Sequence, residues 1–269
     1  MCNNLRSLII GLALLLVAAI TACAAPVIST SIPPFPSPTE LPSVTSEPSS
    51  TPTERPTATP APTITPTPPP DWVTGFAQPI LDTIASRAPN FQDDFHDKSG
   101  GWQSEYWFGC DMEYTGGELV ITSGYSCMAR RANIDYPDFV LEIDGRFLHS
   151  TVSDSYWFVA FRELKGPNHS IVVRYDGLVE IIFEQPGENE GLRFDGAAHS
   201  GDQSNHLLLI AKGWKFAFYV NGLPLYYAEN TQMRIGANYL WVQNPTSSGK
   251  AAVAFDNFKI WDISKIPIP

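Results

Sequence analysis

Basic residues, cysteine and long apolar runs are all scarce in this chain, and each scarcity closes off a class of function. Lys and Arg total 17 against 28 Asp and Glu, for a formal net charge of −11. No basic stripe runs through the sequence, so nucleic acid and anionic membrane surfaces are not expected partners. The 5 histidines show no His-x-x-His or Cys-paired spacing among the 4 cysteines, which argues against a zinc site. Neither a Gly-x-Ser-x-Gly elbow nor a phosphate-cradling glycine loop occurs. Asp195, His199 and Ser200 lie within one Gly-rich loop, FDGAAHSGD, where such side chains ordinarily close turns. The longest apolar run, Leu8 to Ile20, has signal-peptide length and falls short of the ~20 residues that a bilayer-spanning helix needs.

What is present begins with that run. Arg6 gives it a positive start, and Ile20-Thr21-Ala22-Cys23 after it resembles the lipobox of bacterial lipoproteins. The resemblance implies a signal peptide at 1–22, removed so that Cys23 becomes a lipidated N-terminus. An uncleaved spanning helix is the competing reading, disfavoured by the length of the run. Both readings predict an exported protein held to a lipid bilayer by its N-terminus, facing the periplasm or the cell surface. Ala24 is not the aspartate that lipoproteins associate with inner-membrane retention, which leans towards an outer surface. The segment 23–70 is a Pro/Thr/Ser-rich linker. It carries 15 of the chain's 24 prolines, so neither helix nor ladder is expected there. In polyproline II geometry, at ~3.1 Å per residue, its reach is on the order of 140 Å.

Beyond the linker the patterning changes. Residues 71–89 are the one helical stretch, with Phe76, Ile80, Leu81 and Ile84 in a 3.6-residue stripe and Pro89 as its stop. From residue 90 to 269 the period is two. Turn signals recur at Thr115-Gly116-Gly117, Asp176-Gly177, Lys212-Gly213 and Asn221-Gly222, separated by alternating runs. The run His206 to Tyr227 is the clearest. It predicts a strand, a turn at Lys212-Gly213, a second strand with Trp214, Phe216, Phe218 and Val220 on one face, and a turn at Asn221-Gly222. About a dozen such strands with no helix between them predict an all-β, two-sheet antiparallel sandwich. In the last strand Val253 and Phe255 are out of phase with Phe258 and Ile260, which predicts a β-bulge at Asp256-Asn257.

The segments FQDDF, SGGW, FVLEIDGRF, WFVAFR, VVRYDGLVEI, LLLIAKGWKFAFYVNG and VAFDNFKIW together resemble the laminin G-like, concanavalin A-like jelly-roll domains of bacterial surface lipoproteins, over roughly Asn90 to Asp262. The resemblance implies a curved jelly roll whose concave sheet often receives carbohydrate. Lectins, glycoside hydrolases and plain interaction modules all use this sandwich, so function has to be argued from a site.

Four sets of residues are candidates for such a site. Glu142 and Asp144 share one face of a strand and match the first half of the laminarinase-type motif Glu-x-Asp-x-x-Glu or Glu-x-Asp-x-Glu, but Phe147 and Arg146 stand where its second glutamate belongs. Retaining hydrolysis needs two carboxyls ~5–5.5 Å apart, so the broken motif makes these weak catalytic candidates. Glu180 and Glu184, on the order of 13 Å apart along a strand, do not supply the pair either. Asp94, Asp256 and Asn257, with Asp93, approach one another if the first and last strands pair; they are candidate ligands of a structural calcium ion or, more simply, turn-capping groups. Once Cys2 is lost with the signal and Cys23 is lipidated, Cys110 and Cys127 remain as an even pair. A disulfide is expected in an oxidising compartment, two buried thiols being the alternative.

Tyr239, Trp241 and Gln243 fall opposite Leu240 and Val242, and Phe158, Arg162 and Arg174 take the outward phase of other strands. Flat rings beside amide and guanidinium donors suit sugar recognition, and Tyr106 with Trp107 is an alternative platform. The resulting expectation is a surface lipoprotein whose jelly roll binds carbohydrate or another cell-surface polymer without catalysis and without a required cofactor. The alternatives are a glycoside hydrolase or 3-keto-disaccharide hydrolase-like enzyme on the same fold, and a structural or adhesive module that contacts protein.

Overall fold

The computed structural model describes residues 68–267, apart from 106–108, 164–167, 186–187, 231–232 and 247–248. The expected signal peptide, Cys23, nearly all of the linker, and Tyr106 and Trp107 therefore lie outside the described residues. The chain begins with a π-helical turn, Val73–Ala77, that runs into helix α1, Gln78–Ile84. Pro79 is the second residue of α1, directly after the π-helical turn.

The rest is strand. In chain order these are β1 (Phe91–Asp93), β2 (Trp102–Glu105), β3 (Cys110–Thr115), β4 (Glu118–Ser123), β5 (Ser126–Arg131) and β6 (Phe139–Ser150). They continue as β7 (Tyr156–Glu163), β8 (His169–Arg174), β9 (Val179–Gln185), β10 (Glu188–Phe194) and β11 (Asn205–Lys212). The last four are β12 (Lys215–Val220), β13 (Leu223–Glu229), β14 (Ala237–Gln243) and β15 (Ala251–Asp262). An eight-stranded sheet runs β13-β12-β11-β6-β15-β4-β3, with β1 added against β15, and a seven-stranded sheet runs β10-β9-β8-β7-β14-β5-β2. The fold is an all-β jelly-roll sandwich of two antiparallel sheets.

Alternation builds the core. Leu141 and Ile143 of β6, Leu207 and Leu209 of β11, Phe216 and Phe218 of β12 and Phe255 of β15 meet Trp157 and Phe161 of β7, Val173 of β8, Ile181 of β9 and Leu240 and Val242 of β14. Trp157 lies so close over Gly145 that a Cβ there would come within 2.6 Å of the indole. Cys110 of β3 and Cys127 of β5 form a disulfide, which ties one sheet to the other. The hairpin turn at Asn221 and Gly222 has φ of 52° and 78°, the doubly positive geometry that Asn-Gly favours. Trp214 departs from expectation. Lys212 pairs with Lys215, so Gly213 and Trp214 make the turn and the indole stands at the surface instead of lining a strand face.

The helix stripe works as its spacing predicts. Phe76, Ile80 and Ile84 pack on Val140, Ile210, Ala217, Tyr219 and Trp261, all on the outer face of the eight-stranded sheet. Burying each such large apolar side chain contributes about 1.5–3 kcal/mol. Trp72 lies against Tyr219 and Tyr227 of β12 and β13, while Trp261 of β15 donates to the Arg87 carbonyl. The lead-in segment thus crosses the sheet from its β13 edge to β15, and β1 then adds alongside β15.

Arg162 corrects the sequence reading. Strict alternation along β7 would place it outward with Phe158, yet its side chain has 0% exposure. Tyr239 pairs with Ala160 but Ala237 pairs with Glu163, so β7 carries an extra residue, and Arg162 takes φ of 53°. The bulge turns the guanidinium inward. It donates to the carbonyls of Gly213 and Met233, at 2.8 and 3.1 Å, and to that of Pro137. Asp138 lies 3.6 Å away and the Phe216 ring 4.9 Å below. A Cβ on Gly236 would stand 2.3 Å from the Arg162 backbone, so the close approach of the preceding loop requires glycine there. Burial, together with Arg234, pulls the guanidinium pKa down to about 10, against the pull of Asp138, and the group stays charged at neutral pH. Asp138 is itself shared: Lys212 donates to it at 3.0 Å and the Gly213 N–H at 2.8 Å.

Next to Arg162, His169 is fully buried among Phe161, Phe183 and Phe216, with neither ring nitrogen partnered. Burial and the Arg162 charge push its pKa down to about 4.

Three outcomes follow from this framework. Replacing Cys110 and Cys127 together by Ala should lower stability by about 3 kcal/mol in denaturant titrations; an unchanged midpoint would deny the disulfide a stabilising role. Arg162→Met should cost about 3–5 kcal/mol, because Asp138 and three carbonyls lose their buried partner. For His169, the unfolded imidazole binds a proton near pH 6.5 and the folded one only near 4, so stability is full above 6.5 and falls as pH drops through that interval. The loss should reach about 3 kcal/mol, and His169→Phe should flatten it. A slope that persists in the variant would assign the acid sensitivity to other groups.

Candidate aromatic face

The outer face of the seven-stranded sheet is assembled around β14. Its neighbours are β7 on one side and β5 on the other, which sets Trp241 opposite both Phe158 and Met128. The Phe158 and Trp241 rings stack at 5.0 Å with planes 19° apart, and Tyr156 tilts against Phe158 at 5.9 Å. Trp241 Nε1 donates to Ser126 Oγ at 2.7 Å, which fixes the orientation of the indole. Tyr239 donates its hydroxyl to Glu163 at 3.4 Å, and the Arg130 guanidinium lies 5.5 Å above its ring.

These side chains form an apolar floor of graded exposure. Tyr239 is 7% exposed and Phe158 8%, and they pack with Ala160, Val172 and Ala237. Trp241, Tyr156, Met128 and Ile182 sit higher and are partly open. Gln243 lies between Tyr156 and Ser126 in the next row, with Arg174 opposite Tyr156, and Tyr125 projects from the adjoining turn at 51% exposure. A held indole, flanked by phenol, amide and guanidinium groups, presents a flat apolar patch with polar groups at its rim.

Of the six residues expected at a binding surface, Tyr239, Trp241, Gln243, Phe158 and Arg174 share this face, and Arg162 does not, for the reason given above. Tyr239 is floor and not platform. Tyr156, Ser126, Met128 and Tyr125 belong to the face and escaped the sequence reading. Tyr156 was within reach, two residues before Phe158 in the same phase. Ser126 and Met128 are placed by the pairing of β5 with β14, a contact between residues more than a hundred positions apart that no local pattern reveals.

Glu142 and Asp144 stand on the opposite side of the molecule, on the outer face of the eight-stranded sheet. Asp144 accepts from His206 Nδ1 at 2.7 Å and from the Asn257 amide at 2.8 Å. Burial would raise its pKa, but these two bonds outweigh it and hold the carboxyl below its ordinary range. The same bond, against burial, raises His206 above the usual imidazole value. Glu142 lies 3.7 Å from Lys259, and Arg146 makes a two-pronged pair with Glu118 at 2.6 and 3.0 Å. Of the two positions where the hydrolase motif could place its second glutamate, one is Arg146, bound to another strand, and the other is Phe147, in the core.

The bulge at Asp256 and Asn257 forms as the phase slip predicts, with a register shift against β6 and φ of 54° at Asn257. Strands β1 and β15 do pair, and a cleft of about 360 Å³ beside them is lined by Asp93, Asp94, Asn257 and Lys259 among others. Asp93 is occupied, accepting from the Phe95 N–H and the Trp102 indole. Burial and the nearby carboxylates of Asp144, Glu118 and Asp94 raise the pKa of Asp256. Among the described residues no three His, Cys, Asp or Glu side chains converge as a metal site. Asp94, Asp256 and the Asn257 carbonyl by themselves supply fewer oxygens than the roughly six to eight that a calcium ion gathers.

No protein-family profile matches the sequence, and no curated protein is similar to it in sequence. Solved structures are similar in fold. A CBM66 carbohydrate-binding module from Bacillus subtilis aligns over 60% of this chain and 95% of its own, with a TM-score of 0.50 and 17% identity. A Bacillus licheniformis beta-glucanase aligns over 65% of this chain and 99% of its own, with a TM-score of 0.53 and 12% identity. A Bacillus subtilis protein with a galectin-like fold aligns over 65% and 96%, with a TM-score of 0.52 and 10% identity. Identities this low speak for architecture alone, and the architecture they share with this chain is the two-sheet jelly-roll sandwich.

Proposed function

We propose that the outer face of the seven-stranded sheet binds glycan without catalysis, in a protein displayed at the cell surface by a lipid on Cys23. The observation that carries this reading is the held, partly open indole of Trp241, stacked on Phe158 and rimmed by Tyr156, Gln243 and Arg174. Such a patch takes the apolar C–H face of a sugar while its rim addresses hydroxyls. Carbohydrate-binding modules and glucanases among the structures of the same fold support the reading. So does the division of labour between the sheets, since the lead-in helix packs on one end of the outer face of the eight-stranded sheet and not on that of the seven-stranded sheet.

Two carboxylate pairs, Glu180 with Glu163 and Glu142 with Asp144, favour binding over hydrolysis. On the aromatic face Glu180 is level with Phe158 through Val172, whereas Glu163 is five residues further along β7, roughly 15 Å away along the strand. Hydrolases place their two carboxyls ~5–5.5 Å or ~6.5–9.5 Å apart. Glu142 and Asp144 lie on the other sheet and are engaged by Lys259, His206 and Asn257.

Trp241→Ala and Tyr156→Ala should each weaken binding to polysaccharide in pull-down or affinity electrophoresis by at least about tenfold, or ~1.4 kcal/mol, with little change in melting temperature. Unchanged affinity in both variants would remove the site. Release of sugar from a polysaccharide, lost in Glu142→Gln or Asp144→Asn, would instead establish a hydrolase.

A further inference from the structure

We infer that the aromatic face selects neutral glycans over anionic ones, an inference that rests on the glycan-binding reading above. A surface that captures uronate or sulfate groups needs cations whose charge is not already compensated, because it is the summed local potential that draws an anion in. Among the described residues around this floor the guanidinium groups are compensated. Arg130 pairs with Asp135 at 3.0 Å, Arg174 with Asp176 at 2.7 Å and Arg193 with Glu180 at 2.9 Å. Glu163 adds a fourth carboxylate, engaged by the Tyr239 hydroxyl.

Among the described side chains of the face, then, each of these guanidinium groups is matched by a carboxylate, on a chain whose formal net charge is −11. Each guanidinium still has directional N–H groups to offer a hydroxyl, but as half of an ion pair it presents a dipole to solvent and not a free positive charge. The other polar groups at the rim, the Gln243 amide and the Tyr156 hydroxyl, are neutral. An anionic polymer would therefore meet dipoles and no free positive charge, and a neutral one would meet an apolar patch with hydrogen-bonding edges.

The test measures the affinity of the full chain for a β-glucan, a xylan and a mannan against polygalacturonate and alginate of matched length, at low and moderate salt. At least one neutral polymer should bind, with little dependence on salt, and the anionic polymers at least tenfold more weakly. Asp176→Asn combined with Glu180→Gln uncovers Arg174 and Arg193 while preserving side-chain shape. It should raise the ratio of anionic to neutral affinity at least threefold at low salt, with the gain lost as salt screens the exposed charge. Two results would overturn charge selection while leaving the site standing: an anionic polymer bound as tightly as the neutral ones and released by Trp241→Ala, or an affinity ratio unmoved in the double variant. Binding to none of the polymers would overturn the glycan reading itself, and the selectivity with it.

Discussion

Each strand of a two-sheet sandwich gives alternate side chains to one shared core, and the remaining half must be accommodated on two outer faces. In this protein that constraint is met differently on the two sides. On the eight-stranded sheet, one end of the outer face is apolar and is closed by the lead-in helix through Phe76, Ile80 and Ile84. The other end is charged and closes on itself, with Glu118 on Arg146, His206 and Asn257 on Asp144, and Lys259 near Glu142. On the seven-stranded sheet no helix among the described residues covers the apolar side chains. They form their own shallow layer, with Tyr239 and Phe158 below and Trp241, Tyr156, Met128 and Ile182 above. An apolar layer that is ordered yet incompletely covered points to a ligand more strongly than does a self-satisfied ion-pair network.

Much of this plan was legible in the sequence because the physics that sets it is local. Asn221-Gly222 specifies its turn through two positive φ values, the stripe of Phe76, Ile80 and Ile84 specifies a helix with one buried side, and the phase slip at Asp256-Asn257 specifies a bulge. The assignment of Leu240 and Val242 to the core, with Tyr239 and Trp241 opposite, follows from alternation alone. What alternation cannot supply is the identity of a strand's neighbours or the sheet it joins. Glu142 and Trp241 both read as outward-facing, and only the long-range pairing of β6 with β11 and β15, and of β14 with β5 and β7, separates them onto opposite sides of the molecule.

Alternation also misleads where the backbone inserts a residue. At Asp256-Asn257 the apolar residues on both sides reveal the slip. At Arg162 the slip falls near the end of β7, with too little patterned sequence beyond it to show a change of phase. The result is a charged side chain that reads as surface and is interior. A guanidinium is well suited to that place, since its fan of donors reaches three carbonyls from separate segments while Phe216 covers its flat side. Trp214 is the converse case, an aromatic residue in phase with a core strand that the turn geometry places at the surface.

The distribution of charge follows from the same economy of faces. Despite its acidic excess, the domain matches the described guanidinium groups of both outer faces to carboxylates on neighbouring strands or turns, for example Arg146 with Glu118 on one and Arg174 with Asp176 on the other. Exposed pairs of this kind add little stability, typically below about 1 kcal/mol each. Their larger effect is on potential: they leave the described guanidinium groups beside the aromatic floor without a free positive charge, so that in the proposed function shape, stacking and hydrogen bonding would discriminate among ligands. With the helix taking up one end of one outer face and the ion pairs matching the described guanidinium groups at the rim of the other, the proposed recognition rests on the few partly open rings between β5 and β7, and Trp241, fixed by Ser126, is the side chain at their centre.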